Sequence, residues 1–226
     1  KDGEKQEQDT QTEYLTVNSN DSDKITVNKS NINTSNKYTG YEFQRTEPNT
    51  IPDTVNNGDV IKVYYVKVDP NITENKITKT GTQQITSTDE KVLYNIVYET
   101  VIDNYKGKAT VDIEDILPYR INEEKSDLDG GKYDRVNKKI TWTVDLGQID
   151  TYATGKNVSK HIKVEKKIGL VYQDIDKQQD GVANKVKSTL HLSDSDLPDQ
   201  ETKDEDEHKT NIDLKGKVEV KYIDIS

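Results

Sequence analysis

Apolar and polar residues alternate along most of this chain, and the alternating runs are short. They occur at Tyr14–Val17, Lys24–Val27, Tyr38–Phe43 and Val60–Val66, with Asn56-Asn57-Gly58-Asp59 as a turn signal before the last. A second set follows at Lys76–Thr80, Val92–Thr100, Ala109–Ile116, Lys139–Val144, within Lys160–Val171, and at Val182–Leu192. Period-two alternation is the mark of half-buried strands, and no segment carries the 3.6-residue apolar stripe of a helix. Loop signals separate the second set: Asp103–Gly107, Asp127–Gly131, Thr154-Gly155 and Asp180-Gly181. The pattern predicts an all-β chain. A small β-rich module over 1–68, its first dozen residues polar and mobile, precedes an antiparallel β-sandwich over 76–192. Asp69-Pro70-Asn71 breaks the run, so 69–75 reads as a linker. Residues 193–215 are crowded with Asp and Glu and read as an extended acidic linker. Lys217–Ile225 is one further strand with nothing after it, and a lone strand is not stable by itself.

Strand parity also assigns faces, because successive side chains point to opposite sides. Trp142 shares parity with Ile140, Val144 and Leu146 and is expected in the sandwich core. Three polar residues fall on inward positions as well. Lys79 follows Ile77, Asp115 follows Val111 and Ile113, and Asn184 lies between Val182 and Val186. A lysine, an acid and an asparagine buried together are the reagents of a spontaneous Lys–Asn amide crosslink. The competing reading is a surface Lys79–Asp115 ion pair with Asn184 capping a turn. Asp112 and Glu114 are rival acids, but their parity is opposite.

Composition sharpens this picture. Of 226 residues only 30% are hydrophobic and 33% are charged, and mean hydropathy is -0.98. Thin cores of this kind gain from a covalent staple. There is no cysteine, which excludes a disulfide and cysteine-based zinc sites. A net charge of -10 disfavours nucleic acid and anionic membrane as partners. No apolar run approaches the roughly 20 residues of a membrane-spanning helix. Lys1 is not a natural start, so the chain reads as an internal piece of a longer, secreted protein. The acidic turns match no spaced calcium loop, and His161, His191 and His208 show no metal spacing. No cofactor or metal is expected.

Two stretches carry a family resemblance. Tyr38-Thr-Gly-Tyr-Glu-Phe43 and Asn57–Lys67 resemble the end of the mucin-binding-protein type repeat of Gram-positive adhesins, a β-grasp-like module. The Val-x-Val-x-Tyr-x-Asp strand that opens such repeats stands at the C-terminus instead, as Val218–Asp224. The resemblance therefore implies a tandem array cut within a repeat. Val218–Ile225 would complete the next module or pair with another copy of the chain. The second stretch resembles the isopeptide-forming domain of Gram-positive fimbrial and surface-repeat proteins, an Ig-like sandwich. It is carried by Ile77–Gly81, Val92–Val97, Val111–Pro118, Ile140–Val144 and Val182–Asn184, in the family's order. Motif by motif, this resemblance puts the crosslink on Lys79 in the first strand and Asn184 in the last, with Asp115 as the acid. Val186 departs from the small residue often found two places after the asparagine.

The resemblance implies a structural stalk segment of a cell-wall-anchored surface protein, not an enzyme with turnover. A covalent bond between terminal strands would resist pulling and proteolysis. The alternative is an adhesin module that binds host glycan or matrix protein through exposed aromatics. Tyr38, Tyr41, Tyr64 and Tyr65 are the candidates, though cross-strand packing is their commoner use.

Overall fold

The computed structural model describes residues 24–32, 34, 40–56, 58–152, 158–193 and 199–215. Strands dominate these residues, joined by turns, loops and one short 3-10 turn at Lys29–Asn31, and the described residues contain no α-helix. The chain divides into two units, Lys1–Val68 and Asp69–Ser226.

In the first unit, β1 (Lys24–Thr26), β2 (Tyr41–Glu47), β3 (Thr54–Asn56) and β4 (Lys62–Lys67) form two antiparallel pairs, β1 with β3 and β2 with β4. Cross-strand aromatic contacts hold the second pair. Phe43 meets Tyr65 edge to face at 6.4 Å. The Arg45 guanidinium lies 3.8 Å from the Tyr64 ring centroid, and the Tyr64 hydroxyl donates to Glu47 Oε2 at 2.7 Å. Of the four candidate ligand-binding tyrosines, Tyr64 and Tyr65 are thus engaged within the unit, and Tyr38 lies outside the described residues. The expected strands Tyr14–Val17 and Val218–Ile225 also lie outside them.

The second unit contains β5 (Asn71–Gly81), β6 (Gln84–Ile85), β7 (Val92–Asp103), β8 (Lys106–Ile116), β9 (Lys132–Asp134), β10 (Lys139–Asp150), β11 (Lys160–Leu170), β12 (Gln179–Ser193) and β13 (Gln200–Ile212). One sheet has the order β6-β13-β12-β8-β10-β9 and the other β11-β7-β5. All pairs are antiparallel except the short β6–β13 pair. Their inner faces supply one core. Val92, Tyr94, Ile96 and Tyr98 come from β7, Val111 and Ile113 from β8, and Val186, Leu190 and Leu192 from β12. Trp142 is in this core as expected, its indole N–H donating to the carbonyls of Leu128 and Asp129, each at 3.1 Å. On β10 the inward parity of Ile140 and Trp142 is reset by a bulge between Asp145 and Gly147, where Gly147 has φ of 79°, so that Ile149 is buried again.

Three expectations are corrected here. The segment 69–75 is not a linker: β5 begins at Asn71, and Ile72 pairs with Ile102 and packs on the core. A bulge between Ile72 and Glu74 shifts the register and hides Ile72 from a parity reading that starts at Ile77. The acidic stretch is not a free linker either. Gln200–Ile212 is a full strand, paired with β12 from Gln200 to Ile212. Its even-numbered residues from Thr202 to Ile212 turn inward or sit half-buried, while Glu201, Lys203, Glu205, Glu207 and Lys209 face water. The inward acids are accommodated because they have donors. Asp204 Oδ2 accepts the backbone N–H of Ile77 and Asp206 Oδ2 that of Lys79, both at 2.7 Å. These bonds satisfy N–H groups along the edge of β5 that faces away from β7 and stitch the two sheets together. As a third consequence, Asn184 lies on β12, which a further strand follows, and so not on the last strand of the sandwich.

Candidate functional site

Lys79, Asp115 and Asn184 are brought together in the core between the two sheets. Lys79 is 3% exposed, and Asp115 and Asn184 are 0% exposed. Each arrives by strand parity. Lys79 follows the buried Ile77 on β5 and lies opposite Ile96 of β7. Asp115 follows Val111 and Ile113 on β8, flanked by Val186 of β12 and Ile140 of β10, both fully buried. Asn184 lies two residues before Val186 on β12, which makes it the diagonal neighbour of Asp115. The rival acids point the other way. Glu114 pairs with Lys139 at 2.7 Å, and Asp112 accepts from the Thr143 hydroxyl at 2.6 Å and meets His191 at 3.0 Å.

The Lys79 ammonium donates to Asp115 Oδ1. It also lies 4.4 Å from the Tyr94 ring centroid, so its other side meets an aromatic face rather than water. Burial pushes the Lys79 pKa down, against the attraction of Asp115. Burial likewise pushes the Asp115 carboxyl up, against the pull of Lys79. Both shifts move the pair toward its neutral forms, a free amine and a carboxylic acid.

Two oxygens at the centre stand out. Asp115 Oδ2 and Asn184 Oδ1 are buried and accept no hydrogen bond. Leaving a buried polar atom unpaired costs about 1–3 kcal/mol. The Asn184 amide is a polar neighbour of the Asp115 carboxyl and, like Lys79, draws its pKa down, while burial is the larger influence and draws it up. A proton on Asp115 would give it a donor to offer an unpaired carbonyl oxygen.

The other end of the Asn184 amide is engaged. Its Nδ2 donates to the Tyr172 hydroxyl at 3.2 Å, and that hydroxyl meets the Tyr94 hydroxyl at 3.1 Å. Behind Tyr94 stand two residues of β13. The His208 ring packs edge to face on Tyr94 at 5.8 Å, and Thr210 adjoins the Tyr94 phenol. Tyr94, Tyr172, His208 and Thr210 were missed in the sequence. Tyr94 carries a signal, since it shares the inward parity of Val92 and Ile96. Tyr172 follows the unbroken buried run Ile168–Val171, where alternation marks no face. The acidic turn at Asp127–Asp129 commits its carboxylates locally, to the N–H of Asp129 at 3.1 Å and of Lys167 at 3.0 Å.

No protein-family model matches the sequence, and no curated protein does. Solved structures give loose superpositions. A variant of BcpA, the major pilin subunit of Bacillus cereus, is 13% identical, with 70% of this chain and 52% of that chain covered and a TM-score of 0.34. BcpA itself is 18% identical over 76% of this chain and 47% of that chain, at a TM-score of 0.32. AvmM, described as catalysing macrocyclization in alchivemycin A biosynthesis, is 8% identical over 65% of this chain and 92% of its own, at a TM-score of 0.24. The chain spans about half the length of the two pilin chains it is similar to.

Proposed function

We propose that this chain is a structural segment of a fibre or cell-wall-anchored adhesin outside the cell, closed by a self-formed amide bond between Lys79 Nζ and Asn184 Cγ. The observation that carries the reading is the buried Lys79–Asp115 pair beside an asparagine whose carbonyl oxygen lacks a donor. A buried ion pair is weak evidence for stability alone, because desolvation offsets its attraction. The same pair is well suited to one chemical event.

An ammonium has no free lone pair, so Lys79 first passes a proton to Asp115. The neutral amine attacks Asn184 Cγ, and Asp115 gives its proton to Oδ1 as negative charge develops there. Asp115 then takes the proton shed by the attacking nitrogen. That proton ends on Nδ2, which leaves as ammonia when the Cγ–Nδ2 bond breaks. Re-forming the carbonyl returns the Oδ1 proton to Asp115. The products are one amide bond, one ammonia and an unchanged acid. The fold contributes proximity, which can replace about 7–11 kcal/mol of barrier. The event happens once per molecule, without cofactor or partner enzyme.

Intact mass tests this directly. The folded protein is expected one ammonia lighter than its sequence, with the linked peptides containing Lys79 and Asn184. A folded protein at full sequence mass overturns the reading.

A further inference from the structure

The hydroxyl groups behind Asn184 form a chain whose polarity is fixed at its far end. The Thr82 carbonyl can only accept. It receives the Thr210 hydroxyl at 2.9 Å and His208 Nε2 at 3.1 Å. With its proton spent on Thr82, Thr210 presents only lone pairs to the Tyr94 phenol that it adjoins. A Tyr94 proton turned to that side leaves Tyr172 a lone pair to donate to. Tyr172, 3.1 Å from Tyr94, would then donate to it and keep a lone pair for Asn184. The group that can satisfy it is the amide nitrogen, and Nδ2 lies at 3.2 Å. The orientation of an asparagine amide is usually an assignment from its surroundings. Here the surroundings favour one orientation.

We propose that Tyr172, backed by Tyr94 and Thr210, is a positioning residue that turns the Asn184 carbonyl toward Asp115. The proposal rests on the crosslink reading and adds the group that sets which end of the amide reacts. The opposite orientation would be unproductive. Nδ2 would then donate to the Asp115 carboxylate, hold it ionised, and so keep Lys79 an ammonium. Oδ1 would meanwhile face a Tyr172 lone pair, acceptor against acceptor. Tyr172 thus keeps the site away from a resting state in which neither the acid nor the nucleophile is in its reactive form. It also places β13 in the site, since Thr210 and His208 anchor the chain of hydroxyls.

The test uses the full chain made by cell-free synthesis and sampled over time by intact mass. Tyr172→Phe keeps the ring and removes the hydroxyl. It should fold, with unchanged circular dichroism, and lose ammonia up to about 100-fold more slowly, the cost of a small misplacement of reacting groups. Thr210→Val removes the anchor but leaves Tyr172 in place, and should slow the reaction less. A second readout follows the amide itself. In the uncrosslinked Asp115→Ala variant, the Asn184 side-chain amide protons should show nuclear Overhauser contacts to the Tyr172 ring and slow exchange with solvent. In Asp115→Ala/Tyr172→Phe their exchange should be fast. A wild-type rate in folded Tyr172→Phe overturns the proposal. So does an Asn184 amide in Asp115→Ala without contact to Tyr172, which decides the matter should Tyr172→Phe fail to fold. A wild-type protein at full sequence mass would overturn the crosslink instead, and its intact Asn184 amide would still report the orientation.

Discussion

Glu114 and Asp115 are neighbours on β8, and each holds a lysine from another strand. The Glu114–Lys139 pair lies on the outer face, with side chains 41% and 29% exposed, while both side chains of the Asp115–Lys79 pair are 0% exposed. Both are an acid and a lysine in direct contact. The difference is water. Outside, solvent supports both charges, and such a pair contributes about 0–1 kcal/mol. Inside, removing water pushes Lys79 down and Asp115 up. A one-residue step along a strand thus separates an ordinary ion pair from one that burial pushes toward its neutral forms.

Removing the inner acid should break this comparison most severely. Asp115→Ala is expected to fold and to retain full sequence mass, because losing a positioned acid typically costs about 100- to 10,000-fold in rate. Glu114→Ala should crosslink as the wild type does, and the reverse result for the two variants would assign the acid wrongly.

The second test is pH. Burial raises Asp115 and lowers Lys79, so over the neutral range the folded pair holds one proton between them. The unfolded chain holds the same single proton, on Lys79. Folding in this range therefore exchanges no proton through the pair, and the shifts produce no slope of stability with pH. The crosslinking rate should likewise be flat near neutrality. It should fall in acid, where a second proton restores the ammonium beside the neutral acid. It should fall in alkali, where Asp115 has no proton to lend. Each limb should approach about tenfold per pH unit, and a rate rising steadily through neutrality would show that the two groups do not share a proton.

A smaller effect is expected at the seam between the sheets. Asp206→Ala removes the acceptor of the Lys79 N–H, and Asp204→Ala that of Ile77. Each should cost about 1–3 kcal/mol, measured by urea unfolding in an Asn184→Ala background that cannot crosslink. Asp206→Asn keeps an acceptor oxygen and should recover part of the loss. The smallest effect belongs to the outer pair: Glu114→Gln should change stability by no more than about 1 kcal/mol and leave the product mass unaltered.

The residues of the inner pair were legible because period-two alternation is strong on β5, β8 and β12. Ile77, Ile113 and Val186 mark the inward face, and Lys79, Asp115 and Asn184 share it. The all-β class was legible for the same reason. The strand β13 was not. Its half-buried positions are Thr202, Asp204, Asp206 and His208, so no apolar alternation announces it before Ile212. Its inward acids are bonded to N–H groups of β5, 127 residues away in sequence, and composition cannot display such partners. Tyr172 escaped because an unbroken buried run precedes it. The start of β5 escaped because a bulge shifted its parity.

The bonds from β13 to β5 also set an order of events. A ribosome makes β5 well before β13, and these contacts cannot form until β13 has emerged. At about 5–20 residues per second, synthesis keeps the two strands apart for several seconds or more. Closing so distant a pairing is itself among the slower steps of folding. During that interval the Lys79 backbone N–H lacks its acceptor on β13, and Asn184 lacks the β13 anchor behind Tyr94. On the crosslink reading, the irreversible step waits for β13. A domain whose β13 is still to come would stay free of the crosslink, and the bond would serve as a record that this domain had closed.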